Sequence, residues 1–324
     1  MPTVAPLDLD GHCVAAAFLG DVPVFALADG VVHRLDGGHK ASELHDGLLS
    51  AAVAGTGTAL VTGGEDGRVR RLAADWQVAD LADLGSGWIN AVAAGPDGIV
   101  AFSSGRNAHV VLRDGTTKTL AHPRSVEGMA FAPKGVRLAV ARYNGATLHF
   151  PATRGTPVEL EWAGAHTGVD FSPDGRFLVT TMQENALHGW KLADAKHMRM
   201  TGYPAKVKSW SWSARSRWLA TSGAPAAIVW PFAGKDGPMG KAPLELGTRG
   251  DTMATAVACH PAEDVVAIGY GDGMVIAARF EDGNEKMLRR GGRGAITSMR
   301  WDKAGLRIAF GSETGDCGVI DISA

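Results

Sequence analysis

The chain has 324 residues, 45% of them apolar, and its 43 glycines beside 15 prolines suit many short strands and tight turns better than helices. Its formal charge of −2 gives no general attraction to nucleic acid or to an anionic membrane, so any basic site must be local. No stretch approaches the ~18 apolar residues of a membrane span, the N-terminus lacks a basic region followed by an apolar one, and Cys13, Cys259 and Cys317 are too few and too scattered for a disulfide framework. A cytoplasmic protein with reduced, mostly buried thiols is expected, and the Ala-, Gly- and Arg-rich wording suggests a bacterial source.

In chain order, eight short apolar strands each end in a landmark residue, meet a turn signal and give way to a second apolar strand. The landmarks are Phe18, Val53, Ala94, Phe131, Phe171, Trp212, Cys259 and Trp301, at steps of 35, 41, 37, 40, 41, 47 and 42 residues. The clearest copy runs from His166 through Phe171-Ser-Pro-Asp-Gly-Arg-Phe177 to Thr181. Three residues before each landmark stands a small residue: Ala15, Ser50, Ala91, Gly128, Gly168, Ser209, Ala256 and Ser298. Side chains on the innermost strands of a radial array have the least room, which predicts such a line. A second apolar landmark follows in each unit, at Leu35, Leu72, Leu112, Phe150, Trp190, Trp230, Ala278 and Ile320.

Within unit five, strands are predicted at 166–172, 177–181, 187–192 and 196–201, the last the least apolar. The longest step contains residues 233–241, whose three glycines and one proline predict a protruding loop. Unit eight runs out of chain after a third strand at 318–323. Residues 4–9 are expected to supply its fourth, which would remove the free sheet edges of an open array. A period of about forty residues with only strand-sized apolar runs predicts one all-β domain over 1–324, an eight-bladed propeller closed by its N-terminal strand. Seven blades is the alternative, because unit one matches least well.

The pattern resembles the WD40 repeat from about residue 3 to the C-terminus. In that family the second landmark is usually the Trp of a Trp-Asp dipeptide, and here it is Trp at Trp190 and Trp230 alone. The Gly-His and Trp-Asp signatures are mostly missing. The resemblance therefore implies the fold, with the family's His, Ser/Thr, Trp, Asp hydrogen-bond network incomplete in most blades.

Catalytic motifs are scarce: the chain has no GxSxG, HExxH, CxxC or P-loop. Gly-Thr-Gly-Thr at 55–58 and Gly-Tyr-Gly-Asp-Gly at 269–273 lie between strands and read as turns rather than phosphate loops. His12, His33, His39 and His45 crowd into the first unit, but no pair has the spacing of zinc ligands on one element, and no metal or cofactor is expected. Glu127 is the one acid at the register nearest the channel, too little for a calcium cage of about six oxygens. The expected protein is a non-enzymatic, monomeric scaffold. The WD40 resemblance places the loops before the first strand and between the second and third on one rim that often binds partners. There stand Trp88, Arg106, Arg142, Tyr143, Gln183, Lys206, Tyr270 and Arg293, with Arg124 beside them, a composition typical of interface anchors. The expected partner is another protein, not nucleic acid or a membrane. Two alternatives stay open: a metal-handling or enzymatic propeller with its site at the channel mouth, and a nucleic-acid-binding module using the basic run from Lys286 to Arg300.

Overall fold

The computed structural model describes residues 2–55 and 57–323. Among these the regular elements are strands, apart from one 3-10 turn at Pro96–Gly98. Apolar runs such as Ala59–Gly64 and Phe177–Met182 are buried along their whole length, because each lies inside its sheet, with a strand on either side. The polar runs His39–Glu43 and Thr117–Ala121 alternate or are exposed, as suits the last strand of a sheet.

The turn after each first strand is built by side chains as well as backbone. Ser172, Ser213 and Asp302 stand at one register just past their landmarks. Phe177 N donates to Ser172 Oγ at 2.9 Å, Trp218 N to Ser213 Oγ at 3.1 Å, and Arg307 N to Asp302 Oδ1 at 3.1 Å. Each accepts a backbone donor that the turn would otherwise leave bare.

Among the described residues there are seven antiparallel sheets, six of four strands and one of six. The expected eight blades are thus corrected to the alternative of seven. The physical reason lies in residues 126–200, where two sequence units share one sheet. The 14-residue strand Val158–Phe171 pairs back to the second half of Leu138–His149 through Tyr143 opposite Ala165 and Leu148 opposite Val158. It then continues without a break into the pairing of His166–Phe171 with Phe177–Met182. One strand that joins both ladders, bulged only at residues 162–164, leaves no linker at which one sheet ends and the next begins. Eight sequence units therefore fold as seven sheets.

At the termini, Thr3–Asp8 pairs antiparallel with Asp316–Asp321, setting Val4 opposite Ile320 and Pro6 opposite Gly318. This is the pairing expected of residues 4–9 and 318–323. Pro6 is tolerated because its strand is the outer edge of the sheet, where a missing N–H costs no ladder bond. Residues 233–241 carry no strand.

The chain divides into two compact units, one made of residues up to 27, 33–40 and from 201 onward, the other of 28–32 and 41–200. In the first unit the inner strands Cys13–Leu19, Ile296–Trp301, Ala254–Cys259 and Trp210–Trp212 lie side by side in that order. In the second the order is Leu48–Val53, Ala91–Ala94, Val126–Phe131 and the end of Val158–Phe171. The small residues sit where these strands approach one another. Ser298 Oγ accepts from Ala16 N at 2.9 Å, Ser209 Oγ from Val257 N at 3.0 Å, and a Cβ on Gly128 would come within 2.9 Å of Gly168 Cα. The apolar cores lie between consecutive sheets. One gathers Val61, Val69, Ile89, Val92, Val100 and Phe102, another Val229, Val257, Val266, Ile268 and Phe280. Antiparallel meanders packed face to face with their first strands adjacent make an all-β propeller. Among the described residues no helix is long and apolar enough to cross a membrane.

Candidate functional site

A cavity of about 460 Å³ opens in the second unit, lined by residues 123–124, 142–144 and 161–163. Three backbone segments bring these together: the turn before Val126–Phe131, the reversal inside Leu138–His149, and the bulged stretch of Val158–Phe171. The reversal is built by Asn144-Gly145, both at positive φ. A Cβ on Gly145 would collide with Leu160 O, so only glycine fits there. Asn144 Oδ1 accepts from Gly164 N at 3.2 Å and ties the reversal to the bulge.

Arg142 was expected on the rim as an exposed anchor, and the structure corrects this: it is buried. Its Nε donates to Thr147 Oγ1 at 3.0 Å, its Nη1 to Tyr143 O at 3.0 Å, and its Nη2 to the Glu159 carboxylate. Thr147 also donates to Glu159, at 2.8 Å. Burial pushes the Glu159 carboxyl up, but the hydrogen bonds from Arg142 and Thr147 outweigh it, and the group ends below its ordinary value. Arg142 thus clamps the hairpin that presents its neighbour Tyr143, which is 51% exposed.

Behind the cavity lies a stack of rings. Trp162 lies on His188 with centroids 4.0 Å apart and planes 18° apart, and also contacts His197 at 4.7 Å. His188 is fully buried with neither ring nitrogen hydrogen-bonded, and burial, aided by the nearby His166, His197 and Arg199, lowers it to about 3. His166 Nδ1 accepts from Thr180 Oγ1 at 2.7 Å, and its Nε2 donates to Trp162 O at 3.1 Å. Further along, His122 and His149 meet Nε2 to Nε2 at 3.2 Å, and burial followed by the neighbouring imidazole lowers His149 to about 4. Trp162 is therefore held in place, while Arg124, Tyr143 and Glu161 are exposed at the opening. Such a cleft offers aromatic faces, a guanidinium and a carboxylate to a ligand.

Of the other expected residues, Trp88 is 58% exposed, and Arg106 and Gln183 are exposed. Backbone bonds tie each of their turns into its own sheet. Asn90 N donates to Ser103 O at 3.1 Å, His122 N to Arg106 O at 2.9 Å, and Gln183 N to Ala165 O at 2.8 Å. Lys206, Tyr270 and Arg293 belong to the first unit. Lys206 is exposed, and Arg293 is exposed but paired with Asp8. Tyr270 is a second correction. It is fully buried, its hydroxyl donating to Gly247 O and its ring lying 5.7 Å from the Arg249 guanidinium. Sequence reasoning passed over Asn144, Glu161 and Trp162 as site residues. The Asn-Gly pair directly after Tyr143 was the available signal for a tight reversal.

Two polar networks repeat at the start of other sheets. His45 Nδ1 lies 3.0 Å from Asp66 Oδ1 and its Nε2 2.8 Å from Thr62 Oγ1. Trp230 Nε1 donates to Tyr203 OH at 2.6 Å, Tyr203 OH lies 2.7 Å from Thr221 Oγ1, and Thr221 donates to Ile228 O at 2.9 Å. His33 and His39 instead stack on each other, 5.1 Å between centroids. Among the described residues no group of three or more His, Cys, Asp or Glu is placed to hold a metal ion.

No protein-family model matches the chain, and no curated protein sequence does. Among solved structures it is similar to the crystal structure of the computationally designed Ika8 protein, with a TM-score of 0.79 and 18% identity over 97% of this chain and 98% of that one. At that identity the likeness concerns the fold alone.

Proposed function

We propose that this protein is a WD40-like, non-enzymatic binding platform of the bacterial cytoplasm, a monomeric scaffold that holds a partner protein on the edge running from Trp88 through Arg106 and Tyr143 to Gln183. The observation that carries the reading is the exposed Tyr143 beside Arg124, on a hairpin clamped from within by Arg142 and Glu159 and backed by the fixed Trp162. A protein group inserted there meets a preorganised aromatic and cationic surface, which lowers the ordering cost of binding. The WD40 likeness is supported by the period, by Trp190 and Trp230 at their landmark, and by the His45, Asp66 and Thr62 network, in which Leu72 stands where the family carries Trp. Tyr203 takes the histidine's place in the Trp230 network. The nucleic-acid reading gains less support, since Arg289 and Arg293 in the basic run are paired with Asp316 and Asp8.

Capture of the native partner tests this. Arg124→Ala combined with Tyr143→Ala is expected to weaken it by roughly several-hundred-fold, from about 2 kcal/mol per central anchor. Both side chains are exposed, so the melting temperature stays nearly unchanged. Capture at wild-type strength by the double variant would place the partner elsewhere.

A further inference from the structure

Cys13 and Cys317 stand 304 positions apart in sequence and meet in the fold. Cys13 opens the inner strand Cys13–Leu19, and Cys317 lies on Asp316–Asp321, opposite Leu7 of the N-terminal edge strand. Both are fully buried in one apolar cluster with Leu7, Phe25 and Ala309. The neighbouring Cys317 sulfur, together with burial, pushes the Cys13 thiol up, and the adjacent Cys13 holds the Cys317 thiol below its ordinary value. Gly311 makes the room. A Cβ there would lie 2.2 Å from Cys13 Sγ and 3.2 Å from Cys317 Sγ, so any larger residue would push the two sulfurs away. A glycine inside a strand weakens it, and here the vacated space is taken by two thiols.

We propose that Cys13 and Cys317 are a redox latch that closes a disulfide across the terminal seam when peroxide is present. The Cys317 thiolate attacks one peroxide oxygen, the O–O bond breaks and hydroxide leaves, giving a sulfenic acid on Cys317. The Cys13 sulfur then attacks the Cys317 sulfur, the S–O bond breaks, and the departing oxygen leaves as water with the proton from Cys13. Two thiols are oxidised by two electrons, and one hydrogen peroxide is reduced to two waters. Access is through the seam, because Thr3–Asp8 is an exposed edge strand whose local opening uncovers Cys317. The bond would fasten the terminal sheet to the sheet that begins at Cys13, and so hold the N-terminal strand in place.

The test treats the full chain with hydrogen peroxide, alkylates remaining thiols and maps peptides without reduction. The expected result is a loss of two hydrogens in the intact mass, a linked peptide pair carrying Cys13 and Cys317, and a melting temperature raised by several degrees that returns on adding dithiothreitol. Cys259→Ser keeps the linkage and Cys317→Ser abolishes it. Thiols that stay reduced, added oxygen without linkage, or linkage through Cys259 would each overturn the latch. The unsubstituted protein alone is enough to decide, even if Cys317→Ser folds poorly.

Discussion

Replacing Trp230 with alanine is expected to lower the unfolding free energy by about 3–5 kcal/mol. The indole is buried, and sheets that pack face to face relax little around a cavity of that size. The substitution also removes the donor at one end of the chain that passes through Tyr203 and Thr221 to Ile228 O. Tyr203→Phe separates the two contributions. It keeps the ring and deletes the hydroxyl, leaving Trp230 Nε1 without its acceptor, and is expected to cost about 1–3 kcal/mol. Urea denaturation with an unchanged slope is the measurement. A loss below about 1 kcal/mol for Trp230→Ala would mean that the cavity collapses and that packing at this landmark contributes little.

Acid is expected to destabilise the protein well before its carboxylates are protonated. The folded values of His188, about 3, and His149, about 4, lie below the value near 6.5 of an unfolded chain. Burial is the first cause in both. Between those values the unfolded state binds a proton that the folded state refuses, so stability is fully present above about pH 6.5 and falls as the pH drops. The loss continues to about pH 4 for His149 and about pH 3 for His188. At about 1.4 kcal/mol per unit, the pair together withdraws several kcal/mol, comparable to the whole stability of many domains. Glu159 adds a loss of the same sign only at lower pH, as its own depressed value is crossed. His188→Phe keeps a ring against Trp162 and removes the titration, so its stability should vary less between pH 7 and pH 4.5 than that of the parent. Equal slopes for the two proteins would show that His188 takes up its proton in the fold.

How much of this was legible depends on whether the deciding partner is local. The turns at Ser172-Pro-Asp-Gly and Asp302-Lys-Ala-Gly were readable because the groups that satisfy them lie within a few residues. The pairing of the two termini was readable too, from a last unit short of one strand. Tyr143 and Trp88 are both exposed. The neighbouring Arg142 was misplaced because its partner Glu159 lies 17 residues away, across a hairpin. Tyr270 failed likewise, its acceptor Gly247 O being 23 residues distant. Period and composition say that a polar side chain stands at a turn, and not whether it faces water or folds back on a carboxylate or carbonyl.

The sequence by itself determined the strands, their order, the landmark packing and the line of small residues between inner strands, since each follows from side-chain size and period along the chain. Tertiary structure alone decided the number of sheets, because the join between the fourth and fifth units rests on whether residues 158–161 and 165 find ladder partners across a hairpin. It also decided which residues surround the cavity, and that Cys13 and Cys317 meet. Those outcomes depend on approach distances between segments far apart in the chain, and no local pattern encodes such distances.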